Sequence, residues 1–302
     1  MGAEKNVSSA WSRSLAVRLA AALAVLAAGL VAAAHLPGGA DRPGAVHLTS
    51  SSLRPGAGQP RKDPAAAAAP AFFGTLPPGA TLPSSAQCAA WVRAQPSPHE
   101  SKGVNKPYNQ RTGAHLPADF LANDAPAADQ KIVPRVNGHF TGSTREILRW
   151  VACKWGINQT IVFAQAAVES WWRQTTKGDF GSDTSACPPG HRTLNSQGQC
   201  AQSWGILQNR YPFEQGAFPA AIRSTAMNAD TAYAIWRTCF DGYETWLNTV
   251  PEPQRYVKGD AWGCVGRWFS GRWHDAGAQQ YIAKVKQYRK EKIWMTRDFQ
   301  EP

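Results

Sequence analysis

Six cysteines constrain this chain more than any other feature: Cys88, Cys153, Cys187, Cys200, Cys239 and Cys264. They follow a start that reads as an export signal. Lys5, Arg13 and Arg18 make the first residues basic, Leu19–Ala34 is an apolar run of mostly Ala and Leu, and Ala32-Ala33-Ala34 offers a small-residue cleavage site before His35. The run falls short of the ~20 residues a spanning helix needs. A cleaved signal peptide over residues 1–34 is therefore expected, with an uncleaved signal anchor in the membrane as the alternative. Either places the rest of the chain outside the cytoplasmic membrane. An even number of cysteines behind such a signal implies disulfides. Six cysteines allow fifteen pairings, and spacing does not choose among them. The pairing we expect is Cys187–Cys200 as a local loop staple, Cys239–Cys264 between late helices, and Cys88–Cys153 tying the front segment on. No Cys-x-x-Cys or Cys/His pair has zinc-ligand spacing, and neither a metal nor a cofactor is expected.

Composition then divides the remainder. Residues 35–85 are rich in Pro, Ala, Gly and Ser, with Phe72-Phe73 as their aromatics. Such a stretch buries too little to offset its ordering entropy, so a disordered linker is expected. Residues 86–142 lack a clear period and read as a loop-rich N-terminal extension, ordered to some degree because Cys88 lies in it. Residues 143–302 read as a mainly α domain with a disulfide-stapled loop region. Ser143-Thr-Arg-Glu146 is a capping box, apolar residues follow at helical spacing to Trp155, and Gly156 is a natural stop. A second helix spans about 159–170. Residues 173–201 carry breakers at Gly178, Gly181 and Pro188-Pro189-Gly190 and read as loop. Further helices are expected over 220–239 (broken near Asn228), 259–269 and 276–294. No strand pattern is strong enough for a sheet of any size.

The second helix carries the chemistry. Ile161, Ala164, Ala167 and Val168 make it apolar, and Glu169 falls in its last turn. Burial and the negative end of the helix dipole both disfavour ionisation there, which is what a general acid needs to protonate a glycosidic oxygen. The bland alternative is a surface carboxylate paired with Arg173.

Glu169-Ser170, followed 36 residues later by Gly205-Ile206-Leu207-Gln208, resembles the Glu-Ser and Gly-Leu-Met-Gln motifs of soluble lytic transglycosylases and goose-type lysozymes. The resemblance covers about residues 144–294. It implies a lysozyme-like fold and cleavage of the β-1,4 bonds of peptidoglycan, with Glu169 as acid. It also implies Ser170, Gly205, Gln208 and Asn228 at the substrate, and Trp268 is a further candidate for stacking on a sugar ring. Each has a structural alternative: a cap for Ser170, a tight turn for Gly205, a turn amide for Gln208, packing for Asn228, and a core indole for Trp268. The family's Ala-Tyr-Asn-x-Gly motif is replaced by Arg267-Trp268-Phe269-Ser270-Gly271, which removes a phenol and an amide.

A lytic transglycosylase needs one carboxyl, because the substrate's acetamido group assists and its 6-hydroxyl attacks. A hydrolase needs a second carboxylate. Asp179 and Asp183 stand within reach in the loop, although Asp beside Gly is commonly a turn former. The single-acid course fits better. A lysozyme-type hydrolase and a non-catalytic wall-glycan-binding module on the same fold are the alternatives.

Other chemistries lack their signatures: there is no Gly-x-Ser-x-Gly, no His-Glu-x-x-His and no phosphate-binding Gly-rich loop. The net charge of +11 favours an anionic partner. Eleven of the thirteen tryptophans follow residue 140, where indoles serve either sugar faces or a core. The expected partner is a peptidoglycan glycan strand rather than nucleic acid, met by a secreted or cell-surface-tethered monomer.

Overall fold

Each of the longer helices starts where the sequence supplies an oxygen for its orphan N–H groups. The computed structural model describes residues 74–300. In it α1 (Ser85–Arg93) is capped by Ser84, with Gln87 completing a capping box. The expected Ser143–Glu146 box opens α2 (Thr144–Trp155), and Gly156 ends it in the left-handed region. Asn158 caps α3 (Gln159–Ser170), and Ser224 caps α4 (Thr225–Phe240). Asp260 caps α5 (Ala261–Ser270), and Asp275 caps α6 (Ala276–Glu291).

Helix α4 is buried along its whole length. Around it, α1 packs on α2, α2 on α3 and α4, α3 on α6, and α6 on α5. The chain is mainly helical, and Trp150, Trp155, Trp172, Trp236 and Trp273 are fully buried inside it. Much of the late tryptophan excess is therefore core. The helix break expected near Asn228 falls at Ser224, between a single turn (Ala220–Arg223) and α4. Asn228 sits inside α4. The last expected helix stops at Glu291, because Lys292 turns left-handed before a 3-10 turn (Ile293–Met295).

Residues 173–201 are not all loop. β1 (Lys177–Gly181), β2 (Cys200–Trp204) and β3 (Asn209–Arg210) form a small antiparallel sheet in that order, with Gly178 opposite Ser203 and Phe180 opposite Ala201. β1 reads Lys-Gly-Asp-Phe-Gly and has no apolar alternation, so its ladder rather than its pattern makes it a strand.

Two boundaries move. The linker expected to reach residue 85 ends by residue 74, since Leu76 N–H donates to Gly156 O (3.0 Å) and Arg237 donates to the carbonyls of Leu76 (3.2 Å) and Pro77 (2.8 Å). Nor is 86–142 an appendage, because Leu116, Leu121, Val133 and Val136 share one hydrophobic core with Phe299. No helix among the described residues is long and apolar enough to cross a membrane. The expected signal over 1–34, and the expected linker up to residue 73, lie outside the described residues.

Disulfides join Cys88 to Cys153, Cys187 to Cys200 and Cys239 to Cys264, the expected pairing. Their sequence separations are 65, 13 and 25 residues. Loop-closure entropy makes the longest the most stabilising, at about 4 kcal/mol against about 3 for the shortest. Replacing Cys88 and Cys153 by Ala is therefore expected to lower the unfolding free energy in urea more than replacing Cys187 and Cys200. The reverse order would overturn this.

Candidate active site

Helix α3 ends abruptly. Trp171 and Trp172 both adopt left-handed backbone, with φ of 55° and 61°, a costly conformation for bulky residues. Trp172 is held there by full burial and by its indole N–H, which donates to Phe163 O at 2.9 Å. The turn leaves Glu169 half-buried at the helix end, facing α5 and α6.

Tyr281 on α6 donates its hydroxyl to Glu169 Oε1, and the Trp268 indole on α5 hydrogen-bonds the same carboxyl. Loss of solvent pushes the Glu169 carboxyl up to about 8, and the negative charge of Asp179 acts in the same direction. The Tyr281 and Trp268 hydrogen bonds oppose the shift without cancelling it. A carboxyl with this value is mostly protonated at neutral pH. No ion pair joins it to Arg173 among the described residues, and Arg173 is exposed.

Tyr281 is the residue that sequence reasoning missed. Phe269 stacks on it with ring centroids 4.7 Å apart and 3° between planes. Tyr281 thus brings a phenol to the carboxyl from α6, steadied by the ring at 269. Tyr281 and Gln165 are hydrogen-bonded, and Tyr233 donates to Gln165 Oε1 at 3.1 Å, extending the network into the core. A sequence signal existed. Tyr281 shares an apolar stripe with Ala278, Ile282 and Val285, and a tyrosine buried on such a stripe needs a partner for its hydroxyl.

The two motifs do meet, through backbone. Ser170 Oγ donates to Ile206 O at 2.8 Å. Asn228 accepts from Leu207 N–H at 2.9 Å and donates to Trp204 O at 2.8 Å and Ala221 O at 3.0 Å. Gly205 lies at φ 86°, and a Cβ there would run into the Asn228 amide. Gln208 gives its amide hydrogens to Gly205 O (2.7 Å) and Thr176 O (3.2 Å). Gln174, also missed, accepts from Ile206 N–H at 3.1 Å.

Ser170, Gly205 and Asn228, expected at the substrate, shape the turn in this geometry. All three are buried, and their polar groups are spent on shaping the 204–208 turn. Gln208 is half-buried, but its donors are occupied in the same way and no hydrogen bond joins it to Glu169 among the described residues. Trp268 is half-buried with its indole N–H on the acid, so it is more than a core indole.

The two loop aspartates separate. Asp183 is exposed and accepts from Ser185 N–H (2.9 Å) and Oγ (2.6 Å), capping a short turn. Those bonds hold its carboxyl below the usual range, and they make it a turn former. Asp179 lies on β1, close enough to Glu169 to act on it electrostatically. Ser203 donates to Asp179 Oδ2, and Arg210 Nε stands 3.6 Å from the same oxygen.

The chain matches no protein-family model, no curated protein and no solved structure.

The raised value has a consequence for stability. The folded state favours protonated Glu169, so this contribution is fully present below the ordinary pKa of 4.5 and is lost as pH rises to about 8. Glu169→Gln stays neutral throughout. The variant is expected to match wild type near pH 4 and to exceed it by on the order of 2–4 kcal/mol at pH 8. Parallel stability curves for the two proteins across that window would show that the carboxyl is not raised.

Proposed function

We propose that this chain is an exported peptidoglycan-cleaving glycosidase of lysozyme-like architecture, with Glu169 as its acid. The observation that carries the reading is a carboxyl at the end of an apolar helix, pushed up to about 8 and still partly accessible. Such a group holds a proton at neutral pH and can deliver it to the leaving oxygen of a β-1,4 bond. The three disulfides fit an oxidising compartment outside the cytoplasm.

In the single-acid course, Glu169 protonates the leaving oxygen while the substrate's acetamido group stabilises the anomeric carbon. Glu169, now ionised, takes the proton of the 6-hydroxyl as that oxygen closes a 1,6-anhydro ring. The chain is then a lytic transglycosylase that uses no water. Tyr281 and Trp268 stabilise the transient carboxylate, since both hydrogen-bond it.

A hydrolytic course is favoured by one observation, the influence of Asp179 on Glu169. Two carboxyls whose surroundings separate their roles are what a hydrolase needs. Arg210 and Ser203 engage Asp179 and leave it less free to activate water, so the single-acid course stands first.

Purified peptidoglycan digested by wild type should release 1,6-anhydro fragments visible by mass analysis. Glu169→Gln should reduce release on the order of a hundredfold or more. Wild-type cleavage should decline as pH rises through about 8, because the acid deprotonates. Binding without release by both proteins would sink the enzymatic reading and leave a glycan-binding module.

Asp179→Asn decides between the courses. Removing a negative charge that raises the acid should move the alkaline decline to lower pH in either case. On the single-acid course the anhydro products persist. Reducing-end products from wild type, abolished in Asp179→Asn, would establish hydrolysis instead.

A further inference from the structure

Away from Glu169, the far end of the α3–α6 pair forms a shallow, open pocket of about 530 Å³ lined by Thr160, Trp262, Lys286, Arg289, Lys290 and Lys292. Four of its six walls are cationic, and none is a carboxylate. Arg289 is fixed in place, its Nε donating to Thr160 Oγ1 at 2.7 Å while that hydroxyl donates to Asn158 Oδ1 at 2.6 Å. Lys286 Nζ lies 4.8 Å from the centroid of the Trp262 ring, and Arg289 Cζ lies 5.9 Å from it.

The helix dipole accounts for cations in the last turn of α6, where Arg289 and Lys290 sit. It does not account for Lys286, a turn earlier. Lys286 and Lys290 are like charges four residues apart, an arrangement that weakens a helix. Glu291, the acidic residue of that turn, accepts from Gln287 at 2.9 Å and does not line the pocket. Cations gathered on a concave surface without a protein counter-charge in its lining focus a positive field on whatever enters.

We propose that this pocket is a second binding site, taking the phosphate groups of a polyol-phosphate polymer. A fixed guanidinium beside ammonium groups suits phosphate oxygens, and the half-buried Trp262 face offers apolar surface to the intervening carbons. The choice of polyol phosphate over nucleic acid rests on the exported reading above. A membrane headgroup is disfavoured because no lining residue is an exposed apolar side chain that would enter a bilayer. Thr160 and Glu169 stand about 14 Å apart along α3, so the polymer and a glycan strand occupy different places.

The test is titration of the full chain with a synthetic glycerol-phosphate oligomer. Lys286→Gln combined with Lys290→Gln should weaken binding about tenfold or more, and inorganic phosphate should compete. Lys106→Gln combined with Arg111→Gln removes the same charge from exposed positions elsewhere and should change affinity less than about twofold. All four positions are exposed, and unchanged circular dichroism checks folding. Equal losses in both double variants would reduce the effect to net charge and overturn the site. So would an oligodeoxynucleotide or phosphatidylglycerol vesicles binding as tightly, with the same sensitivity to Lys286 and Lys290. Repeating the titration on Glu169→Gln separates this proposal from the catalytic one, since binding should persist there whether or not glycan is cleaved.

Discussion

Helix α4 is buried on every side, and two of its polar residues, Asp230 and Asn228, organise the rest. Asp230 receives Lys154 Nζ at 2.6 Å, Trp155 Nε1 at 2.8 Å, and the N–H groups of Asn137 and Gly138 at 2.9 Å each. That cluster fastens α2 and the 86–142 segment to the centre. The ion pair is dry, and desolvation lowers the Lys154 pKa even against the pull of Asp230. Its role is placement, because removing either partner would strand the other charge in the core. Asn228, two residues earlier, does the same for the 204–208 turn by occupying three backbone groups. One helix thus sets where both the front segment and the sheet-to-helix turn stand.

The acid depends on this frame at one remove. Asn228 and Ser170 bind opposite parts of the same turn, so the end of α3 is tied to β2 and β3 through the Ser170–Ile206 bond. β1 follows from its pairing with β2, and with it the position of Asp179. The raised value of Glu169 therefore combines a local cause, an apolar helix end, with a charge delivered by a sheet. Opposing donors from α5 and α6 keep it near neutrality rather than higher. The proposed reaction, in which the carboxyl gives up and regains a proton, calls for such an intermediate value, since an extreme one would trap it in a single state.

What was legible in the chain follows the range of the interaction. Caps at Ser143, the stop at Gly156 and the placement of Glu169 in a final turn involve neighbours within a few residues. That disulfides form was legible from an even cysteine count behind an export signal, whereas spacing left fifteen pairings open and only packing selects the three that form. Tyr281, 112 residues from Glu169, and Gln174, whose partners lie 32 to 48 residues on, were not. Their significance exists only after packing. Asp179 and Asp183 show the same limit: both flank the same Phe-Gly-Ser stretch, yet strand pairing sends one to the acid and leaves the other in solvent. Ser170, Gly205 and Asn228 have a role the sequence does not announce, which is to build the 204–208 turn.

Glu169 and the basic pocket share one antiparallel helix pair, and four cations beside a carboxyl would ordinarily depress its pKa. They do not govern Glu169: the influences on it are desolvation, Tyr281, Asp179 and Trp268, with no lysine or arginine among them. Separation explains this. About 14 Å along the helix axis exceeds the ~8 Å screening length at physiological salt, and three of the four cations project from an exposed face where solvent screens them. The pair can therefore hold a positive field at one end and a neutral carboxyl at the other.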